Sequence, residues 1–120
     1  MISQMEPSVE QQIRAGVERV RTRFLDMLVD QLGELAQLWS PVKLDGDPDD
    51  HVLVTSSGIL HKISGSAGTL GLADLGDAAR ACETAIISHR RADRPDDVQS
   101  IYRTLGSFAD EAETVLVSRH

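Results

Sequence analysis

Aromatic residues make up only 3 % of this 120-residue chain, with two Phe, one Tyr and one Trp. A core must therefore be built from Leu, Val, Ile and Ala, which favours packed helices over a sandwich of strands. Cysteine occurs once, at Cys82, which excludes an intramolecular disulfide and any C-x-x-C metal pair and fits a reducing compartment. No apolar run approaches membrane-spanning length, and residues 1–30 lack the apolar segment of a secretory signal, so a cytoplasmic location is expected. Basic residues are the minority, 12 against 19 acidic, giving a formal net charge of −7 and a pI near 4.9. Nucleic acid and anionic membrane surfaces are thus not expected partners, because the mean field repels polyanions. The length suits one domain over residues 1–120, with an ordered core over about 8–118.

What the chain does have is helical periodicity. Val9, Ile13, Val17, Val20, Phe24, Leu28, Leu32, Leu35 and Trp39 recur in steps of three or four. Ser8 with Gln11 reads as a capping box at one end, and Ser40-Pro41 closes the pattern at the other. So long a run predicts a break between Gly16 and Thr22, giving a short first helix laid on the bundle and a longer second one. "PVKLDGDPDD", residues 41–50, is loop chemistry, with Asp47, Asp49 or Asp50 as cap for a helix from about 50 to 70 that Gly71 ends. Leu75, Ala79, Cys82 and Ile86 mark a helix over 73–88, followed by His89, Arg90 and Arg91, which suit its negative end. After the "ADRPDD" connection, the run from Val98 to Leu116 gives the last helix. The expected fold is all-α: an antiparallel four-helix bundle with a short additional N-terminal helix.

One stretch departs from ordinary helix composition. "HKISGSAGTLGL", residues 61–72, puts a single imidazole among glycine, serine, alanine and threonine. At 3.6 residues per turn, His61 shares its face with Val54, Ser57, Gly58, Ser64, Gly65 and Gly68. Val52, Ser56, Ile59, Ile63, Ser66, Ala67 and Leu70 form the more apolar opposite stripe, the expected core side. Each glycine within a helix costs roughly 1 kcal/mol relative to alanine, so folding alone does not ask for Gly58, Gly65 and Gly68. Their effect is to clear bulk from around the imidazole, so that a partner's backbone can approach it. Between His51 and Leu72, Lys62 is the one formal charge, as suits a docking face.

"LHKISGSAGTLGLADLGDAARACE" resembles the signature of histidine phosphotransfer domains, including the substrate domain of chemotaxis histidine kinases. His61, Ile63, Gly65, Ala67 and Gly71 match that pattern in register, and Glu83 falls where a later glutamate stands. The resemblance implies a four-helix bundle, without kinase activity of its own, that accepts a phosphoryl group on His61 from a receiver-domain aspartate or a histidine kinase and passes it to a response-regulator aspartate. Its partners would be receiver domains of response regulators and of hybrid histidine kinases, which supply the acidic pocket and the Mg²⁺. The chain itself would hold no cofactor or metal and would act as a monomer. One departure stands out: the lysine usual three residues after the histidine is Ser64 here.

Ser64 could donate a hydrogen bond to a phosphoryl oxygen but brings no charge, whereas Lys62 or Arg80 could bring one. A hairpin centred near Leu72 sets Ser64 level with Arg80 and His61 level with Glu83. Glu83 could then accept from one ring nitrogen and leave the other nucleophilic. Equally, Arg80 and Glu83 could pair with each other at i, i+3 on a solvated face. The missing lysine leaves open a docking or decoy module that binds a receiver or kinase without turning phosphate over. An autonomous hydrolase has less to stand on: no third catalytic group accompanies Ser57 and His61, and "GSAGTLG" lacks the ending of a nucleotide-binding loop.

Overall fold

The computed structural model describes residues 8–43, 46–91 and 98–118. Four helices run through them: α1 (Val9–Trp39), α2 (Asp50–Thr69), α3 (Ala73–Arg91) and α4 (Val98–Val117). No strand occurs among the described residues. Successive helices are antiparallel, and their apolar stripes meet in one core. Phe24, Leu25, Leu28 and Leu35 of α1 face Leu53, Leu60, Ile63 and Ala67 of α2. Leu75, Ala79, Cys82 and Ile86 of α3 and Ile101, Phe108 and Ala112 of α4 complete it.

The expected break in the first helix is absent: α1 is a single helix of 31 residues. Its length was the reason to expect an interruption, but length breaks no hydrogen bond. Gly16 alone costs about 1 kcal/mol, the surrounding Glu, Gln, Arg and Ala favour helix, and no proline falls within α1. The capping box forms as expected, with Ser8 Oγ accepting from Gln11 N at 3.1 Å and Gln11 Oε1 from Ser8 N at 2.9 Å. Nor is the N-terminal portion laid on the bundle. Val9, Ile13, Val17 and Val20 are all exposed, and Phe24 is the first buried residue of α1.

At the other end of α1, Trp39 Nε1 donates to Ser56 Oγ of α2 at 2.9 Å, which satisfies a hydroxyl that is fully buried. The Tyr102 ring meets the Trp39 ring edge-on with centroids 5.8 Å apart. Its hydroxyl donates to the carbonyl of Gly46 at 2.9 Å, tying the α1–α2 connection to α4. Of the three aspartates considered as the cap of α2, Asp49 serves, accepting from Val52 N at 3.0 Å. The "ADRPDD" connection, residues 92–97, lies outside the described residues, as does residue 120.

The α2–α3 hairpin positions the site. Gly71 adopts φ +77°, a left-handed conformation that suits glycine. Around it, Leu72 N bonds to Ala67 O at 2.9 Å and Gly71 N to Gly68 O at 3.4 Å, the paired bonds of a Schellman ending. Four residues into α3, Gly76 is buried. A Cβ there would stand 3.4 Å from Ser64 O and 3.6 Å from the Ala67 Cβ, so the missing side chain lets α3 lie close on α2. At the far end of the pair, Arg90 Nε donates to Asp50 Oδ1 at 2.8 Å. The guanidinium holds the Asp50 carboxyl below the usual carboxylate range.

Candidate functional site

His61 stands on the outer face of α2 with its side chain 76 % exposed. Its Nδ1 lies 2.9 Å from Oε2 of Glu83 on α3, and that glutamate is only 16 % exposed. A carboxylate can only accept, so the bond requires Nδ1 to carry the proton, and in the neutral imidazole the lone pair then sits on Nε2. The two residues are level because the turn is centred near Leu72, and Gly76 brings the helices close enough for the side chains to meet.

The cleared surroundings exist as three glycines with space above them. Gly58, Gly65 and Gly68 are exposed, and a Cβ added at any of them would meet nothing within 4 Å. Bundle packing therefore does not demand glycine at these positions. Ser57 is half-buried beside them.

Ser64 is placed differently from expectation. It is 5 % exposed, facing α3 where the backbone of Gly76 approaches, and not on the open face with the imidazole. At −60° from His61 around the helix it falls on the α3 side of the face, and the close hairpin covers it. The core stripe of α2 turns with it: Leu53 and Leu60 are buried, whereas Ser66, assigned to the core from periodicity, is exposed. Lys62 and Arg80 are both exposed. No ion pair joins Arg80 to Glu83, whose carboxylate is engaged by the imidazole instead.

Sequence periodicity did not reveal an open groove of about 630 Å³ running from His61 along the α1–α2 seam. Val20, Phe24 and Met27 of α1 form one wall, and Gly65, Ser66 and Leu70 of α2 the other, with Arg23 and Lys62 also lining it. The available signal was Met27, which lies off the Phe24–Leu28–Leu35 stripe and stays half exposed. Among the described residues no group of three or more His, Cys, Asp or Glu could hold a metal ion. None of the described helices is long and apolar enough to cross a membrane.

A family model described as "Hpt domain" matches residues 19–118. The chain matches no curated protein and no solved structure.

Proposed function

This chain belongs to the Hpt domain family, whose role is histidine phosphotransfer in phosphorelay signalling, and from that premise we propose that His61 is its phosphoryl acceptor. The observation that carries the proposal is the exposed imidazole whose Nδ1 is held at 2.9 Å by Glu83, which directs nucleophilicity to Nε2. The donor is an aspartyl phosphate of a receiver domain. The Nε2 lone pair attacks phosphorus in line as the bond from phosphorus to the aspartyl oxygen breaks, and the carboxylate leaves with that electron pair. The ring, now phosphorylated on Nε2, keeps its Nδ1 proton and becomes cationic. Glu83 faces that new charge, a stabilisation arranged before the reaction begins. The reverse sequence passes the group to the aspartate of a response regulator.

Nothing in this scheme asks the chain for a cofactor. The Mg²⁺ that neutralises the phosphoryl oxygens belongs to the receiver. The glycine-cleared face and the adjoining groove give the receiver room to bring its aspartate within about 3 to 3.5 Å of Nε2. A cytoplasmic location follows from where receivers operate, and no nucleic acid or membrane enters the scheme.

Incubation with a phosphorylated receiver domain tests the reading. Acid-labile, base-stable label should appear on the wild type and not on His61→Gln, with both proteins melting alike. Label retained by His61→Gln would overturn the assignment. The buried Ser64 favours a second reading, a module that docks a receiver without accepting phosphate, since the position offers neither charge nor an exposed hydroxyl. Stable binding of a receiver with no label on the wild type would select it.

A further inference from the structure

Among the described residues, no other helix covers the apolar stripe of α1 before Phe24. α2 ends at Thr69, and Arg21 of α1 lies beside the α2–α3 turn, lining a cleft with residues 71–75 and the last turn of α4. From Arg21 back to Val9 the helix runs on past the bundle for roughly 18 Å at 1.5 Å per residue. Along this arm Val9, Ile13, Val17 and Val20 are 52 to 71 % exposed and make one stripe. The stripe leads into Phe24, which α2 covers. It is the same seam that the bundle fills further on, left open where α2 stops. Residues 9–18 of the arm also precede the family match, which begins at residue 19.

Charge identifies the occupant. Between Val9 and Arg23 there are four arginines and two glutamates, a local charge of +2 in a chain of net charge −7. Stepping 100° per residue, Arg21 borders the aliphatic stripe on one side and Arg23 on the other, while Arg14, on the Arg21 side, is paired with Glu10 at 3.1 Å. Two copies of the arm laid together would set one net positive charge against another. A lipid surface fits poorly, because the stripe lacks the Trp, Phe or Leu of interfacial helices and anionic headgroups would repel the acidic body.

We propose that the projecting arm of α1, residues 9–23, docks an acidic amphipathic helix of another protein. That helix lies along Ile13, Val17 and Val20 where α2 leaves the seam open. Its aliphatic side chains cover the stripe and its carboxylates face the bordering arginines. The proposal does not rest on phosphoryl transfer by His61, although Val20 and Arg23 also line the groove beside it, and its test reads binding alone.

The probe is a labelled synthetic peptide with Leu at i, i+3 and i+4 spacing and Glu elsewhere, titrated against the full chain by fluorescence anisotropy. Binding should weaken at least tenfold in the doubly substituted Ile13→Ser, Val17→Ser chain and in Arg21→Glu, and it should weaken with added salt. Unchanged helical content and melting of these variants confirm that the exposed positions carry no folding role. Replacing every Glu of the peptide by Lys should abolish binding. Any of four results overturns the proposal: no binding, equal binding of the Lys peptide, concentration-dependent self-association that the Ile13→Ser, Val17→Ser chain loses, or equal affinity for anionic lipid vesicles.

Discussion

His61 and Glu83 are 22 residues apart in sequence, and their side chains meet at 2.9 Å across the α2–α3 hairpin. One partner is largely exposed and the other largely covered. The carboxylate is thus fixed by the bundle, while the imidazole remains reachable from outside. This fixes which ring nitrogen is presented without burying the ring.

Replacing Glu83 by Gln keeps a carbonyl that can accept from Nδ1 but removes the negative charge facing the phosphorylated ring. Hydrogen bonds to charged groups are worth about 1.5 to 3 kcal/mol, so single-turnover transfer should slow by roughly 10- to 100-fold. Glu83→Ala, which also releases the tautomer, should be slower still. Stopped-flow transfer from a phosphorylated receiver checks this, with the melting curve of Glu83→Gln expected to change little, since the amide keeps an acceptor for an imidazole that is itself exposed.

Gly65 lies one turn after His61 with nothing near its missing Cβ. Gly65→Ala should raise stability by about 1 kcal/mol, and Gly65→Gln should still fold. Both should slow transfer, Gln far more, by obstructing the receiver's approach. Rates that follow melting temperature across the three residues would show that the open surface is not a docking clearance.

Gly71→Ala places a Cβ on a backbone at φ +77°. The substitution should cost about 1 kcal/mol through strain at the Schellman ending. Chemical denaturation measures it. Because the turn sets the register of the hairpin, transfer should also fall if His61 and Glu83 move out of line.

Burial pushes the Cys82 thiol from its ordinary 9.0 up to about 11. A thiol raised in the folded state stabilises the fold fully below pH 9, and that contribution is lost as pH climbs through the folded value. Melting temperature should therefore fall between about pH 9 and 11 more in the wild type than in Cys82→Ala. At pH 8 a disulfide reagent should label the native protein slowly and the unfolded chain at once.

Ser56→Ala removes the acceptor of the Trp39 indole in a half-buried setting. The loss should cost about 1 to 3 kcal/mol. As Trp39 is the only tryptophan, its fluorescence reports the change directly.

The sequence alone determined the features that act over a few residues. Ser8 and Gln11 cap α1, an aspartate among Asp47, Asp49 and Asp50 caps α2, Gly71 turns the chain, and the three- and four-residue steps of Leu75, Ala79, Cys82 and Ile86 define a buried stripe. Each depends on backbone geometry that is nearly the same in every helix. The cleared face of His61 belongs with them, because helical spacing alone places Gly58, Gly65 and Gly68 beside the ring. Tertiary structure decided whatever depends on where a neighbouring helix lies or stops. Periodicity put Ser64 on the face of His61, yet α3, drawn close by Gly76, covers the serine and leaves the histidine open. Counting from the turn put Glu83 level with His61 but could not choose between His61 and Arg80 as its partner; packing chose the imidazole. Val9 to Val20 carry the same periodic signal as Phe24 to Leu35. Only the point at which α2 ends separates the exposed stripe from the buried one, because burial depends on a second surface and periodicity describes only the first.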